Sequence, residues 1–106
     1  MSVRYLLQPK ADEDIDEISD YLVEQGGLEL ALRFHSSAFE SFSLIATHPE
    51  MGWLCAFSNK QLEETRKFQV TGPFDKYLIF YKFYNDRIEI LRVLHGSQDL
   101  DLFFED

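Results

Sequence analysis

Arg66, Arg92 and His95 are the residues of this chain whose types and positions best suit chemistry. Arg92 interrupts the most apolar run in the sequence, Ile88-Glu89-Ile90-Leu91-Arg92-Val93-Leu94. Strict alternation puts it on one face with Ile88, Ile90 and Leu94. A guanidinium there needs a partner, because an unpaired buried charge is costly. The partner is either an acid of the preceding helices or C-terminal tail, or a ligand on a concave surface. His95 ends the same run beside Gly96, and an imidazole can take or give a proton near neutral pH. Its alternative role is to hydrogen-bond the strand end. Arg66, with Lys67, opens an earlier run. A ring of Arg66, Arg92 and His95 could bind a phosphate or stabilise a leaving group.

Other site types are missing from the pattern. There is no glycine-rich phosphate loop and no Gly-x-Ser-x-Gly elbow. His35, His48, His95 and Cys55 do not have metal-ligand spacing, so neither a metal nor a cofactor is expected. Cys55 reads as a small buried apolar group, His35 as a half-exposed helix residue and His48 as part of a helix end. Trp53 reads as a lid on the core.

The elements that must hold these residues follow from periodicity. Val3-Arg4-Tyr5-Leu6-Leu7 is a short strand stopped by Pro9, which suits the first turn of a helix. Ala11, Ile15, Ile18 and Leu22 recur at helical spacing, widened by Tyr21. Asp12, Glu13 and Asp14 fall in the opening turn, where the helix dipole favours negative charge. Gly26-Gly27 ends this helix. Ala31, Phe34, Ala38, Phe42 and Ile45 carry a second helix, from about Leu28 to Thr47, closed by Pro49. An irregular connection runs from Pro49 to about Glu64. The period then becomes two: Arg66–Val70, Tyr77–Tyr84 and Ile88–Leu94 read as strands, the last two joined by an Asn85-Asp86 turn. Ser97-Gln98-Asp99-Leu100 has capping residues for a short final helix ending in Phe103-Phe104. The expected fold is α+β in one domain, residues 1–106: an N-terminal strand, a helical hairpin, then an antiparallel sheet (β-α-α-β-β-β).

Composition agrees with a packed core: 45% hydrophobic residues and 15% aromatics, ten of them Phe. One cysteine excludes an internal disulfide and suits a reducing cytoplasm. No apolar run is long enough to span a bilayer, and the N-terminus lacks the apolar stretch of a signal peptide. The net charge of −9 disfavours direct nucleic-acid binding. The charge is uneven. Residues 1–25 hold seven acids against Arg4 and Lys10, whereas residues 60–95 hold seven bases against five acids.

Tyr77-Leu78-Ile79-Phe80-Tyr81, Ile88 through Val93-Leu94-His95-Gly96, and Asp99-Leu100 resemble the RelE/ParE toxin superfamily, nearest its ParE (plasmid-stabilisation) branch. Ala11, Asp14-Ile15, Ile18 and Tyr21 resemble that family's first helix. His48-Pro49-Glu50-Met51-Gly52 resembles its Pro-x-x-Gly junction. The resemblance implies the toxin of a type II toxin–antitoxin pair, neutralised by a small antitoxin that buries apolar grooves. It implies DNA gyrase as the target in the ParE branch, or ribosome-dependent cleavage of messenger RNA in the RelE branch. Arg66, Arg92 and His95 match the family's basic strand positions. Gln98 stands before Asp99 where the ParE pattern usually has Arg, and no Tyr follows His95, as RelE-type cleavage often requires. These departures and the acidic charge favour a gyrase inhibitor over a nuclease. A decayed, non-toxic interaction module is the third reading. By charge complementarity, the antitoxin segment should be apolar or basic.

Overall fold

The computed structural model describes residues 2–57 and 59–97. Strand β1 is Arg4–Leu7, helix α1 is Pro9–Thr47, and strands β2 to β5 are Trp53–Leu54, Arg66–Gln69, Tyr77–Tyr84 and Arg87–His95. A straight α-helix of 39 residues would be about 58 Å long at about 1.5 Å per residue. The molecule's longest dimension is 38 Å, so α1 has to fold back. It breaks at Gly26 (φ −151°, ψ 15°) and Gly27 (φ 80°, ψ −179°). The second of these backbone conformations is open essentially to glycine alone. The expected hairpin is therefore present as two arms of α1, residues 9–25 and 28–47.

The sheet has the order β1-β5-β4-β3-β2. The neighbours from β2 to β5 pair antiparallel. β1 lies parallel to β5, with Arg4 opposite Arg87 and Leu7 opposite Ile90. The sheet is thus mixed: the chain from β1 to β5 passes through α1 and the strands β2, β3 and β4, long enough for the parallel pairing. β2 was not expected. It is two residues inside the irregular connection, too short to carry a period, and pairs with Arg66 and Lys67. The Asn85-Asp86 turn joins β4 to β5 as expected, but neither residue takes positive φ; among the described residues other than glycine only Glu64 does.

Both arms of α1 press their apolar stripes onto one sheet face. Ala11, Ile15, Leu22, Ala31, Phe34, Ala38, Phe42 and Ile45 join Ile79, Tyr81, Ile88, Ile90 and Val93 in one core. Burying a side chain the size of Phe34 or Phe42, both fully enclosed, is worth about 1.5–3 kcal/mol. The strict alternation expected along β5 fails at a bulge. Phe80 faces Arg92 but Tyr81 faces Ile90, so Leu91 is an extra residue on β5. Val93, not Arg92, therefore continues the core face of Ile88 and Ile90. The short helix expected at residues 97–104 falls outside the described residues beyond Ser97.

Candidate functional site

β1 ends at Leu7, whereas β5 runs on to His95, so the outer edge of β5 past Ile90 has no strand beside it. The first turns of α1 take that place. Gln8 N–H donates to the Ile90 carbonyl at 2.9 Å, which fixes where the helix starts. Asp14, 6% exposed, then meets the bare edge. Its carboxylate accepts from Val93 N–H at 3.0 Å and from Arg92 Nε and Nη2 at 2.7 and 2.8 Å. The paired guanidinium of Arg92 is held above its ordinary pKa, chiefly by the hydrogen bonds to Asp14. Arg92 thus has the helix acid that its position in an apolar strand demanded.

Arg66 has a different task. It pairs opposite Tyr81 on β4, and its Nη1 donates to the carbonyls of Glu50 at 3.0 Å and Gly52 at 2.8 Å. The Tyr81 hydroxyl donates to the Pro49 carbonyl at 2.8 Å and accepts from Gly52 N–H at 3.0 Å. Burial pushes the Tyr81 phenol above its ordinary pKa, so it remains a neutral donor. Gly52 is required for this approach, since a Cβ there would stand 2.5 Å from the Tyr81 oxygen. The Pro49–Gly52 junction is locked onto the sheet by one arginine and one tyrosine.

His95 lies opposite Tyr77, edge-on to its ring at 5.1 Å. Its Nδ1 accepts from Ser97 N–H at 3.1 Å. The Ser97 hydroxyl lies 2.6 Å from the same nitrogen. Tyr77 in turn packs on Phe34 at 5.1 Å. Beside these rings a cleft of about 600 Å³ opens between the first arm of α1 and the end of β5.

The expected ring of Arg66, Arg92 and His95 is not drawn together. Arg66 shares the side of Tyr81 and Arg92 that of Phe80, and consecutive β4 residues point to opposite faces. His95 stands at the far end of β4, beside Tyr77. Among the described residues no group of three or more metal-ligating side chains forms, and no helix is long and apolar enough to cross a membrane. Trp53 does not lid the core: it is 59% exposed at the sheet edge and stacks on Phe68. Cys55 is half-buried rather than buried. His35 is exposed and stacked on Phe39. His48 does serve the helix end, its N–H donating to the Leu44 carbonyl. The residue the periodicity missed is Asp14. It sits three residues after Ala11 and four before Ile18, on the apolar stripe itself, where an acid must find a partner.

Residues 5–100 match the profile of the ParE toxin of the type II toxin–antitoxin system parDE. The chain belongs to the ParE toxin family. A relative called Toxin ParE1 from Caulobacter vibrioides is 30% identical over 95 residues, covering 90% of this chain and 91% of that one. Another Toxin ParE1, from Mycobacterium tuberculosis, is 28% identical over 102 residues, covering 95% and 97%. The fold of this ParE-family chain is also that of a chain from the chromosomal ParDE system of P. aeruginosa. That match has a TM-score of 0.71 at 19% identity, over 89% of this chain and 96% of the other. A chain of the RelBE2 toxin–antitoxin complex of M. tuberculosis aligns with a TM-score of 0.58 at 16% identity, over 90% and 99%. The ParE assignment joins the Val93-Leu94-His95-Gly96 pattern to the β5 edge that Asp14 closes.

Proposed function

We propose that this ParE-family toxin arrests its host by inhibiting DNA gyrase without chemistry of its own, as one domain acting in the cytoplasm, and that a cognate antitoxin neutralises it. The observation that carries this reading is where its two strand arginines go. Cleaving RNA by attack of a 2′-hydroxyl needs cations gathered around one phosphate. Arg66 is bound to two backbone carbonyls and Arg92 to Asp14, on strands separated by β4. A chain of net charge −9 also opposes a polyanionic substrate. What remains suits recognition of a protein surface.

The test is a supercoiling reaction with gyrase, relaxed plasmid and the purified chain. Dose-dependent loss of supercoiling, with linear DNA released on protein denaturation, is the expected outcome. Unchanged supercoiling together with cleavage of messenger RNA on programmed ribosomes would replace this reading by the nuclease one. Co-expression with the protein encoded by the adjacent reading frame should restore growth.

A further inference from the structure

The cleft beside His95 has walls of two kinds. One is aromatic: Tyr77, fixed against Phe34 and His95, and Tyr21, whose ring is 53% exposed, with Ile18 and Leu94 beside them. The other is anionic. Glu17 lines the cleft, as does Asp14. Asp14, Glu17 and Glu13 all act on Arg92, so three carboxylates face one guanidinium. His95 turns its Nδ1 toward the Ser97 amide, 3.1 Å away. The Tyr77 phenol stays uncharged, since burial and the neighbouring Tyr21 push its pKa up.

We infer that this cleft receives the cationic side chain of an arginine or lysine presented by the antitoxin. The alkyl stem would lie along Ile18 and Leu94, the charge over the faces of Tyr21 and Tyr77, and Glu17 would accept its hydrogen bonds. Charge complementarity selects this occupant. The arm above the cleft exposes Asp12, Glu13, Asp16, Glu17, Asp20 and Glu24, which repels an acidic segment and attracts a basic one. The inference rests on the proposed antitoxin reading and adds where and by what chemistry the partner is gripped.

The probe is N-acetyl-arginine methylamide, titrated into the full chain and followed by two-dimensional NMR. Ring and amide signals of Tyr21, Tyr77 and His95 should move, and N-acetyl-glutamate methylamide should leave them in place. Glu17→Lys should weaken the arginine probe at least tenfold. Asp16→Lys, one residue away and outside the cleft, should change it less than twofold. An arginine probe that leaves these signals still, binds Glu17→Lys equally well or is matched by the glutamate probe overturns the inference. So do shifts that depend on protein concentration alone, which would give the cleft to a second copy. In growth assays, Glu17→Lys should still arrest cells and escape the antitoxin. Neutralisation of Glu17→Lys as efficient as that of the parent overturns the inference. The titration reads the cleft independently of gyrase, so failure of the supercoiling assay leaves this result intact, and the converse holds.

Discussion

Replacing Asp14 by Ala removes the acceptor for three hydrogen bonds at once: two from Arg92 and one from the Val93 amide. Hydrogen bonds to charged groups contribute about 1.5–3 kcal/mol each, and breaking a buried ion pair costs about 3–5 kcal/mol. The Arg92 side chain keeps 15% of its exposure, so its guanidinium recovers part of its hydration and the lower end applies. Asp14→Ala should therefore cost about 3 kcal/mol, a large part of the roughly 5–15 kcal/mol that holds a domain folded. At about 4 °C per kcal/mol for a chain of this size, Tm should fall by about 12 °C. Asp14→Asn keeps one acceptor for Val93 and should fall between the parent and Ala. The decisive assay is a double-mutant cycle with Arg92→Ala, read by urea unfolding. The double variant should cost little more than the worse single, with a coupling of about 1.5–2 kcal/mol. Additive effects, or an Asp14→Ala cost under about 1 kcal/mol, would refute the pairing argument. A folded double variant should still inhibit gyrase; loss of inhibition with the fold intact would make Arg92 part of the toxic surface.

Gly27→Ala forces an L-residue to φ 80° and should cost about 1–3 kcal/mol in thermal unfolding. Gly52→Ala drives a methyl to 2.5 Å from the Tyr81 oxygen and should cost about 1–3 kcal/mol, with loss of near-ultraviolet tyrosine dichroism from the unlocked junction. Tyr77 and Tyr81 are raised above the ordinary 10.0 in the fold. Their contribution is thus fully present below that pH and lost as pH rises through the folded values. Urea midpoints should fall in that alkaline window, less steeply in Tyr81→Phe, and tyrosinate absorbance should show two phenols titrating late.

The parts of the fold that repeat were legible in the sequence. Ala11, Ile15, Ile18 and Leu22, then Ala31 through Ile45, mark two helical stripes, and Gly26-Gly27 marks the break. The β4–β5 hairpin follows from its aromatic and β-branched runs. What escaped depends on single residues or on contacts far apart in sequence. The bulge at Leu91 has no local signature, and it moved Arg92 off the core face. β2 is two residues long, below any detectable period. The role of Arg66 is to hold main-chain carbonyls, and no side-chain pattern encodes that. The sequence leaves the partner of Arg92 open between a helix acid, a tail acid and a ligand, and it groups Asp14 with the acids of the opening turn. Its place on the apolar stripe was the available clue. Trp53 was misplaced because large rings usually go inside, whereas here the edge of β2 leaves it outside.

The parallel seating of β1 against β5 couples segments more than eighty residues apart during synthesis. Among the described strands Arg4–Leu7 is made before the others, but its neighbour in the sheet is the last of them to be made. Until residues 87–90 emerge, that strand has no sheet partner among the described residues, and Asp14 has neither Arg92 nor Val93 to receive. A nascent chain halted in β4 would thus lack the β5 face that the helix stripes cover and would hold β1 only through its packing on α1, Tyr5 against Phe39 and Phe42. The described sheet closes only after residues 87–90 have been made, a built-in delay set by topology.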